Sequence, residues 1–321
     1  MHKQFMRRAI ELALKGLGQT SPNPIVGACI VKNGKVISEG YHKSAGLPHA
    51  EINALRKAKR KAQGADLYVS LEPCCHFGRT PPCTEAIIKA GIRRLIYGMK
   101  DPNPRIAGKG LKKLAAAGIK VIGPVLEKEC RDINRPFIKW ISTGRPYVTA
   151  KIAITLDGKI ADFRGNSKWI SNKRSLTYAH ILRSFSDVIM VGAETYRKDK
   201  PRLNVRLPGY KGKQPVPIIV GGQKRKVNLK KLLPELGEAG FQSVLVEGGG
   251  VLQTELINAG LVDYLIVFIA PKLLGAEGKN WIGSLGKRSI KRSIIFNTER
   301  SFMLGCDIVI EGQCKPPPPV D

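Results

Sequence analysis

The chain has 321 residues, which at about 100–200 residues per domain indicates two domains or one large one. Hydrophobic residues make up 43% and charged residues 25%; this globular composition excludes wholesale disorder, and no apolar run reaches the roughly 18–20 residues of a membrane helix. The net charge of +29 would attract polyanions, but basic residues are spread along the whole chain, which favours a solvated lysine-rich surface.

The chain opens with a predicted helix and a predicted β-hairpin. Apolar residues recur at helical spacing in the first 17 residues, namely Met6, Ile10, Ala13, Leu14 and Leu17. Glu11 is acidic, and no spacer separates this segment from the structured sequence that follows. We therefore interpret the segment as a helix and not as a transit peptide. Two short apolar strands then flank Asn33–Gly34, a pair that is the strongest short-range hairpin signal.

Apolar strands then alternate with amphipathic helices, which predicts an α/β layer architecture. The predicted helices lie near His49–Lys61, Cys83–Ala90 and Gly110–Ala117, and the strands at Leu67–Leu71, Leu95–Met99 and Lys120–Ile122. A polar Gly/Pro stretch, Ile141–Pro146, is typical of a linker and predicts two domains, residues 1–145 and 146–321.

The second half repeats the alternation of strands and helices. Strands are predicted at Tyr147–Leu156, Val188–Val191, Pro217–Val220, Ser243–Glu247, Tyr264–Ile269 and Asp307–Ile310, with helices near Asn172–Phe185 and Val251–Ala259. The four consecutive prolines of the tail are incompatible with a helix or a central strand, so we expect residues 316–321 to be a disordered tail. Seven cysteines are too few for a disulfide scaffold, and the odd number favours a reducing, cytoplasmic compartment.

The first half carries a candidate zinc site. His49 and Glu51 open a predicted helix, Cys74 and Cys75 follow a strand, and Cys83 starts another helix, in the H-x-E … P-C … C order of zinc-dependent nucleobase deaminases. One imidazole and two thiolates can hold Zn²⁺ and leave a position for water, while a carboxylate moves protons. Cys74 and Cys83 are nine positions apart instead of three, Cys75 competes with Cys74 as a ligand, and a core histidine with buried cysteines is the alternative.

The second half carries a candidate anion site. Gly248, Gly249 and Gly250 follow Glu247 at the end of an apolar strand and open a predicted helix. Glycines let the backbone approach an anion, and the free N–H groups at a helix start favour phosphate. A tight strand-to-helix turn also needs glycine, so the cluster by itself leaves both interpretations open.

Longer motifs carry a resemblance to a known family. S-P-N-P-I-V-G, G-Y-H … G-L-P-H-A-E, L-E-P-C-C-H-F-G-R-T-P-P-C and K-D-P-N-P-R-I-A-G-K-G in the first half, with K-I-A-I-T-L-D-G-K-I-A, G-N-S-K-W-I-S and L-V-E-G-G-G in the second, resemble the bifunctional riboflavin-biosynthesis deaminase–reductases. The long loop between the cysteines is characteristic of that family. The resemblance implies an α/β protein with an N-terminal cytidine-deaminase-like α/β/α layer domain and a C-terminal dihydrofolate-reductase-like α/β domain.

The resemblance also implies two activities and their residues. One is zinc-dependent hydrolytic deamination of 2,5-diamino-6-ribosylamino-4(3H)-pyrimidinone 5′-phosphate, and the other is NADPH-dependent reduction of the ribosyl to the ribityl side chain. For the first, it assigns zinc to His49, Cys74 and Cys83, the proton shuttle to Glu51 and a substrate contact to Asn23. For the second, it assigns NADPH to Ala153, Trp169, Thr195, Asp199, Gly249 and Gly250, and substrate to Ser167, Arg183, Leu203, Arg206 and Glu247.

Two departures from the family pattern leave the activity of the reductase half undecided at this point. Lys200 stands where a second acidic residue is usual, and the segment between Arg206 and Ser243 is short, with Val220–Gly222 in place of a D-S pair and a following strand–helix stretch missing. One alternative is therefore a deaminase with a degenerate reductase half. Another is an RNA-binding base-editing deaminase, but aromatic residues are only 6% and are not interleaved with basic runs, so nucleic acid is not an expected partner. The sequence does not determine whether the protein forms a homo-oligomer.

Overall fold

The computed structural model describes residues 1–77, 81–104, 106–222, 227–286 and 289–315. The chain divides into two compact units, Met1–Gly144 and Arg145–Asp321. The described residues include no helix with the length and apolar character needed to cross a membrane. The predicted tail at 316–321 lies outside the described residues.

The first unit is built around a five-stranded sheet. Its elements in chain order are α1 (His2–Leu14), β1 (Gly27–Lys32), β2 (Lys35–Tyr41), α2 (Ala50–Ala58) with a 3₁₀ turn (Lys59–Ala62), β3 (Asp66–Leu71), α3 (Cys83–Lys89), β4 (Arg94–Met99), α4 (Lys109–Ala116), β5 (Lys120–Ile122), α5 (Glu127–Asp132) and α6 (Arg135–Thr143). The strand order is β2-β1-β3-β4-β5. Strands β3, β4 and β5 are parallel, and β1 is antiparallel to β2 and β3.

The predicted hairpin joins β1 to β2. Asn33 and Gly34 have φ values of 52° and 72°, and Lys32 pairs with Lys35 across the turn. Two positive φ values in succession are what a type I′ turn requires, and Asn and Gly adopt them at least cost. The local sequence is therefore sufficient to explain this turn.

Helices cover both faces of this sheet and make a three-layer α/β/α unit. Helices α2, α3 and α4 pack on one face through Ala54, Leu55, Ile87, Leu111 and Leu114. Helix α1 packs on the other face through Phe5, Met6, Ala9 and Leu12, with Cys130 of α5 and Ile138 of α6 beside it. The side chains of β1, β3 and β4 alternate between these two apolar layers because successive strand residues point to opposite faces. The sheet is therefore buried on both sides.

The second unit is built around a seven-stranded sheet. Its elements are β6 (Tyr147–Thr155), β7 (Lys159–Ala161), α7 (Lys173–Ser184), β8 (Val188–Gly192), α8 (Ala193–Asp199), β9 (Val216–Val220), α9 (Leu229–Glu238), β10 (Ser243–Glu247), α10 (Gly250–Asn258), β11 (Tyr264–Ala270), β12 (Lys279–Asn280), a 3₁₀ turn (Ile290–Arg292), β13 (Ile295–Leu304) and β14 (Asp307–Lys315). The order is β13-β14-β11-β6-β10-β8-β9. The five strands from β11 to β9 are parallel, and β14 is antiparallel to both of its neighbours.

The structure corrects the predicted position of the linker. Residues 141–143, expected in the linker, form the last turn of α6, which ends at Gly144 with φ 69°. The Ser142 and Thr143 hydroxyls donate to the carbonyls of Ile138 and Lys139 at 2.6 and 2.7 Å, so these polar side chains satisfy the helix instead of ending it. Between Arg206 and Ser243, the described residues hold one strand, β9, and one helix, α9.

Candidate active sites

The first site is a cluster of one imidazole and two thiols at the carboxyl end of β3. His49 precedes α2 in an extended conformation, Cys74 lies in the loop after β3, and Cys83 is the first residue of α3. The Nδ1 atom of His49 lies 3.2 Å from Sγ of Cys83 and 3.6 Å from Sγ of Cys74. Bonds of about 2.0 Å from zinc to nitrogen and about 2.3 Å to sulfur give tetrahedral edges of about 3.5 Å, so these donors fit zinc in type and spacing.

The thiols of Cys74 and Cys83 have pKa values shifted in opposite directions. Cys83 donates to Cys74, and this bond, followed by the one from His49, lowers the pKa of Cys74 to about 4 despite its burial. The same bond, together with burial, raises the pKa of Cys83. All three ligand atoms of His49, Cys74 and Cys83 lie within 4.8 Å of one another, and Cys75 does not belong to this group. The geometry therefore favours Cys74 over Cys75, although the ligand set stays a prediction.

Glu51 lies in the first turn of α2 and is only 3% exposed. Its burial first, and then the negative charge of Cys74, raise the pKa of the carboxyl to about 7, while the imidazole of His49 acts in the opposite direction. Its side chain also contacts Cys83. Glu51 is a buried carboxyl beside the cluster, in the helix turn that directly follows His49, and this position suits a proton shuttle better than a surface role.

Asn23 is connected to the same site through His42, which the sequence analysis did not select as a site residue. Its amide nitrogen lies 3.0 Å from Nε2 of His42, whose Nδ1 lies 3.3 Å from the carbonyl of Pro48. Burial lowers the pKa of His42, so the ring stays neutral, donates to Pro48 and accepts from Asn23. The His42 ring meets the His49 ring edge to face, with centroids 5.2 Å apart. The G-Y-H motif contained this residue, but only its buried position shows its connection to the site.

The second site is a cavity of about 1550 Å³ in the second unit. It is larger than the roughly 300–1,000 Å³ of a typical small-molecule pocket, and so has room for a cofactor and a substrate together. Nine predicted residues line it: Ala153, Ser167, Trp169, Arg183, Thr195, Asp199, Arg206, Gly249 and Gly250. Leu203 packs on Ile189 and Val191 instead, and Glu247 lies behind Arg183, so neither lines the cavity. Their substrate contacts stay predictions.

The glycine turn opens α10 beside the cavity. Gly248 and Gly249 have φ values of 71° and 77°, and Gly249 is the N-cap residue of α10. A Cβ atom at Gly249 would lie 2.8 Å from Oγ1 of Thr195. The resemblance assigns both Gly249 and Thr195 to NADPH. Gly248, Gly249 and Gly250 line the cavity, and the lack of side chains leaves room for an anion to approach the backbone of this turn, which fits a phosphate cradle.

Arg183, which lines the cavity, forms a buried ion pair with Glu247. Arg183 donates from Nε and Nη2 to the two carboxylate oxygens of Glu247 at 2.9 and 2.6 Å, and from Nη1 to the carbonyl of Asn204 at 3.1 Å. Burial alone would raise the pKa of Glu247, but the Arg183 guanidinium and then Lys151 outweigh it and hold the pKa below its usual value. The carboxylate of Glu247 is therefore ionised and fixed in orientation.

Positive charge exceeds negative charge around this pair. Burial first, and then Arg183, lower the pKa of the Lys151 ammonium despite the attraction of Glu247. Arg206 is exposed, but partial desolvation first, and then the charges of Arg183 and Arg202, lower the pKa of its guanidinium. Each of these cations destabilises the charged form of its neighbours, and a bound anionic ligand would offset this repulsion. Lys151 was missed by the sequence analysis, although a lysine within the apolar run of β6 was a usable signal.

Comparisons with known proteins match both units. The family model described as the cytidine and deoxycytidylate deaminase zinc-binding region matches residues 1–99, and the one described as the RibD C-terminal domain matches residues 146–310. The riboflavin biosynthesis protein RibD of Aquifex aeolicus is 44% identical over 348 positions, which cover 96% of this chain and 97% of that protein. The chain belongs to the RibD family.

Solved structures of the RibD family agree in fold. A RibD structure from Acinetobacter baumannii superposes with a TM-score of 0.92 at 35% identity, covering 98% of this chain and 99% of that one. A diaminohydroxyphosphoribosylaminopyrimidine deaminase/5-amino-6-(5-phosphoribosylamino)uracil reductase from Thermotoga maritima gives 0.89 at 35% identity with the same coverage. The predicted family, the α/β fold class and the pair of a zinc-binding deaminase domain and a reductase domain are confirmed.

The alignment with the Aquifex protein contains gaps in this chain. The alignment with the Aquifex protein spans 348 positions, whereas the chain has 321 residues, so that protein contains stretches that are absent here. The sequence analysis places one such stretch between Arg206 and Ser243. The described residues nevertheless keep a continuous seven-stranded sheet and the lined cavity.

Proposed function

We propose that His49, Cys74 and Cys83 hold the zinc of the deaminase domain and that Glu51 moves the protons of the deamination. The proposed substrate is 2,5-diamino-6-ribosylamino-4(3H)-pyrimidinone 5′-phosphate, whose ribosyl group the second unit then reduces to ribityl with NADPH. The convergence of one imidazole, two thiols and a buried carboxyl at one end of β3 carries this proposal. The names of the RibD relatives support the choice of substrate.

In the proposed deamination the bond between a ring carbon and its amino nitrogen breaks and a C–O bond forms, so that one water is consumed and one ammonia leaves. Zinc, when bound, supplies the Lewis acidity that brings the pKa of a coordinated water from about 15.7 towards 7. Glu51 moves one proton of the attacking water to the ring nitrogen, and then moves the second, from the new hydroxyl group on the ring carbon, to the leaving amine. Asn23, held by His42, orients the substrate at the mouth of the site.

In the proposed reduction C1′ of the ribosyl group gains a hydride, the C1′–O4′ bond breaks and O4′ gains a proton. NADPH supplies the hydride when bound, and the turn at Gly248–Gly250 beside Thr195 is the proposed phosphate cradle. Arg206 lies where an exposed guanidinium can bind the substrate phosphate through charge-assisted bonds. Arg183 already binds Glu247, so its first role is to keep that carboxylate in place.

The test is an assay of the purified protein on this pyrimidine phosphate with and without NADPH, following ammonia release and nicotinamide absorbance separately. We expect ammonia in both reactions and NADPH oxidation only after deamination has begun. Ammonia release without NADPH oxidation or NADPH binding would instead favour the deaminase with a degenerate reductase half. Absence of ammonia release from the zinc-loaded protein would contradict the deaminase assignment.

A further inference from the structure

A buried glutamate lies next to the cysteine-bearing turn of the first unit and has no role so far. Glu72 is 3% exposed and comes two residues before Cys74. Its Oε2 atom accepts from the backbone N–H groups of Asp101 and Gly108 at 3.2 and 2.9 Å, and Oε1 accepts from that of Gly110 at 3.0 Å. A single carboxylate therefore connects the segment before Cys74 to both ends of the loop between β4 and α4.

The close approach of the backbone at Gly110 supports the same connection. A Cβ atom at Gly110 would lie 2.1 Å from the carbonyl oxygen of Pro73 and 3.2 Å from Oε1 of Glu72. The start of α4 thus presses directly on the residue that precedes Cys74. A carboxylate at this helix start is also favourable because the first N–H groups of a helix lack partners within the helix.

The loop brings a second carboxyl to the zinc-ligand cluster. Asp101 lies within electrostatic range of Cys74 and His76, and its Oδ1 atom accepts from the N–H of Asn103 at 2.8 Å. Its backbone N–H is one of the three that Glu72 binds. The Glu72 contacts therefore fix the backbone of Asp101, whose carboxyl lies within electrostatic range of Cys74. There it can accept hydrogen bonds from the amino groups of a diaminopyrimidine.

We propose that Glu72 is a positioning residue of the deaminase, which holds the loop that follows β4 so that Asp101 faces the substrate. This inference rests on the proposed deamination. Glu72 itself contacts only backbone groups among its described partners and so acts through the loop. The sequence places Glu72 in the L-E-P-C-C motif, but the identity of its partners follows only from the fold.

The test is Glu72→Gln in the full-length, zinc-loaded protein. A glutamine retains one acceptor oxygen and turns an amide NH₂ towards a backbone donor, so at least one of the three bonds is lost. We expect an unchanged zinc content and a deamination kcat/KM about 10²-fold lower, mainly through KM, since small misplacements at a reacting site cost that much. Wild-type KM, or zinc loss in parallel with activity, would overturn the proposal.

Asp66→Asn is the matched control. Asp66 is also buried, lies at the opposite end of β3 and binds the guanidinium groups of Arg93 and Arg94. Its replacement should lower the thermal midpoint of unfolding without changing KM for deamination. If Asp66→Asn and Glu72→Gln raise KM alike, Glu72 has a structural role only and the proposal is wrong.

A double substitution separates positioning from stability. If Glu72 acts through Asp101, then adding Glu72→Gln to Asp101→Asn should lower kcat/KM little further, whereas independent effects would multiply and contradict the proposal. Hydrogen exchange at Asp101, Gly108 and Gly110 should accelerate in Glu72→Gln and stay at the wild-type rate in Asp66→Asn. Exchange does not depend on turnover, so a wild-type protein that releases no ammonia contradicts the proposed function, while unchanged exchange contradicts the proposed role of Glu72.

Discussion

At the scale of single residues, two buried carboxyl groups show how partners assign roles. Burial and the neighbouring Cys74 raise the pKa of Glu51 to about 7. Glu247 is also buried, but Arg183 and Lys151 keep its pKa below the usual value. The first carboxyl can exchange a proton near neutral pH, whereas the second remains a fixed negative charge. The same side chain therefore suits proton transfer in one unit and positioning in the other.

The choice between the neighbouring cysteines gives the first prediction. Cys74→Ser should lose bound zinc because Cys74 lies 3.6 Å from Nδ1 of His49, whereas Cys75→Ser should keep about one zinc per chain. Metal analysis of the two purified variants is the measurement. Full zinc in Cys74→Ser and none in Cys75→Ser would reverse the assignment.

The proton shuttle gives the second prediction. Glu51→Gln keeps the size of the side chain but removes its ability to accept a proton. We expect normal zinc content and a loss of deamination of about 10²–10⁴-fold, which is the usual worth of general acid–base catalysis. Reduction of an already deaminated substrate is the internal control and should be unchanged. Turnover at the wild-type rate would rule out this role for Glu51.

The two arginines of the cavity give the third prediction, because the structure places them differently. Arg206→Ala should raise the substrate KM of reduction, since it removes a charge-assisted contact worth about 1.5–3 kcal/mol. Arg183→Ala should in addition lower the free energy of unfolding by about 3–5 kcal/mol, because it leaves the buried Glu247 carboxylate unpaired. Denaturant unfolding and reduction kinetics of both variants test this. Equal stabilities would show that the pair does not act as a buried ion pair.

At the scale of secondary-structure elements, the junction of β10 and α10 determines access to the phosphate cradle. The strand ends at Glu247, the turn passes through two residues of positive φ, and the helix begins at Gly250. A chain with side chains at these positions would be strained, and at Gly249 it would also collide with Thr195. The turn therefore combines a conformational and a steric requirement for glycine.

Gly249→Val tests this junction. We expect loss of NADPH binding in a fluorescence titration, with deamination retained because the first unit has its own core. Gly240→Val is the control, because Gly240 also has a positive φ, 85°, but nothing lies within 4 Å of its Cβ position. It should be strained to a similar extent and still bind NADPH. Equal loss of binding in both variants would indicate backbone strain and not a blocked cradle.

At the scale of the whole molecule, the chain consists of two units with separate apolar cores and separate candidate sites. The zinc-ligand cluster belongs entirely to Met1–Gly144, and the cavity entirely to Arg145–Asp321. Each site is built at the carboxyl ends of parallel strands, β3 in one unit and β6, β8 and β10 in the other. Loss of one site should therefore leave the other intact.

Removal of the metal tests this independence. Dialysis against a strong chelator should abolish deamination, and added zinc should restore it. NADPH binding, measured on the same metal-free sample, should keep its wild-type affinity because no residue of the zinc-ligand cluster lies in the second unit. Loss of NADPH affinity that zinc restores would contradict independent sites.

Features that depend only on neighbours along the chain can be predicted from the amino-acid sequence. The Asn33–Gly34 hairpin needs only two residues that adopt positive φ, and the strands at Ser243–Glu247 and Lys120–Ile122 were predicted with the bounds that the structure has. The order of His49, Glu51, Cys74 and Cys83 is enough to indicate a zinc site, because metal chemistry restricts the residue types. The linker prediction at residues 141–143 was wrong because the hydroxyls of Ser142 and Thr143 donate to carbonyls of the preceding turn of α6.

Contacts between side chains and backbone groups that are far apart in the sequence follow from the fold and not from local patterns. Arg183 and Glu247 are 64 positions apart, and no local pattern shows that the arginine binds the carboxylate. Glu72 accepts bonds from residues 29 to 38 positions away, and Leu203 packs into an apolar cluster instead of lining the cavity. Periodicity and turn chemistry act over a few residues, whereas these contacts arise when strands and loops distant in sequence are brought to the same end of a sheet.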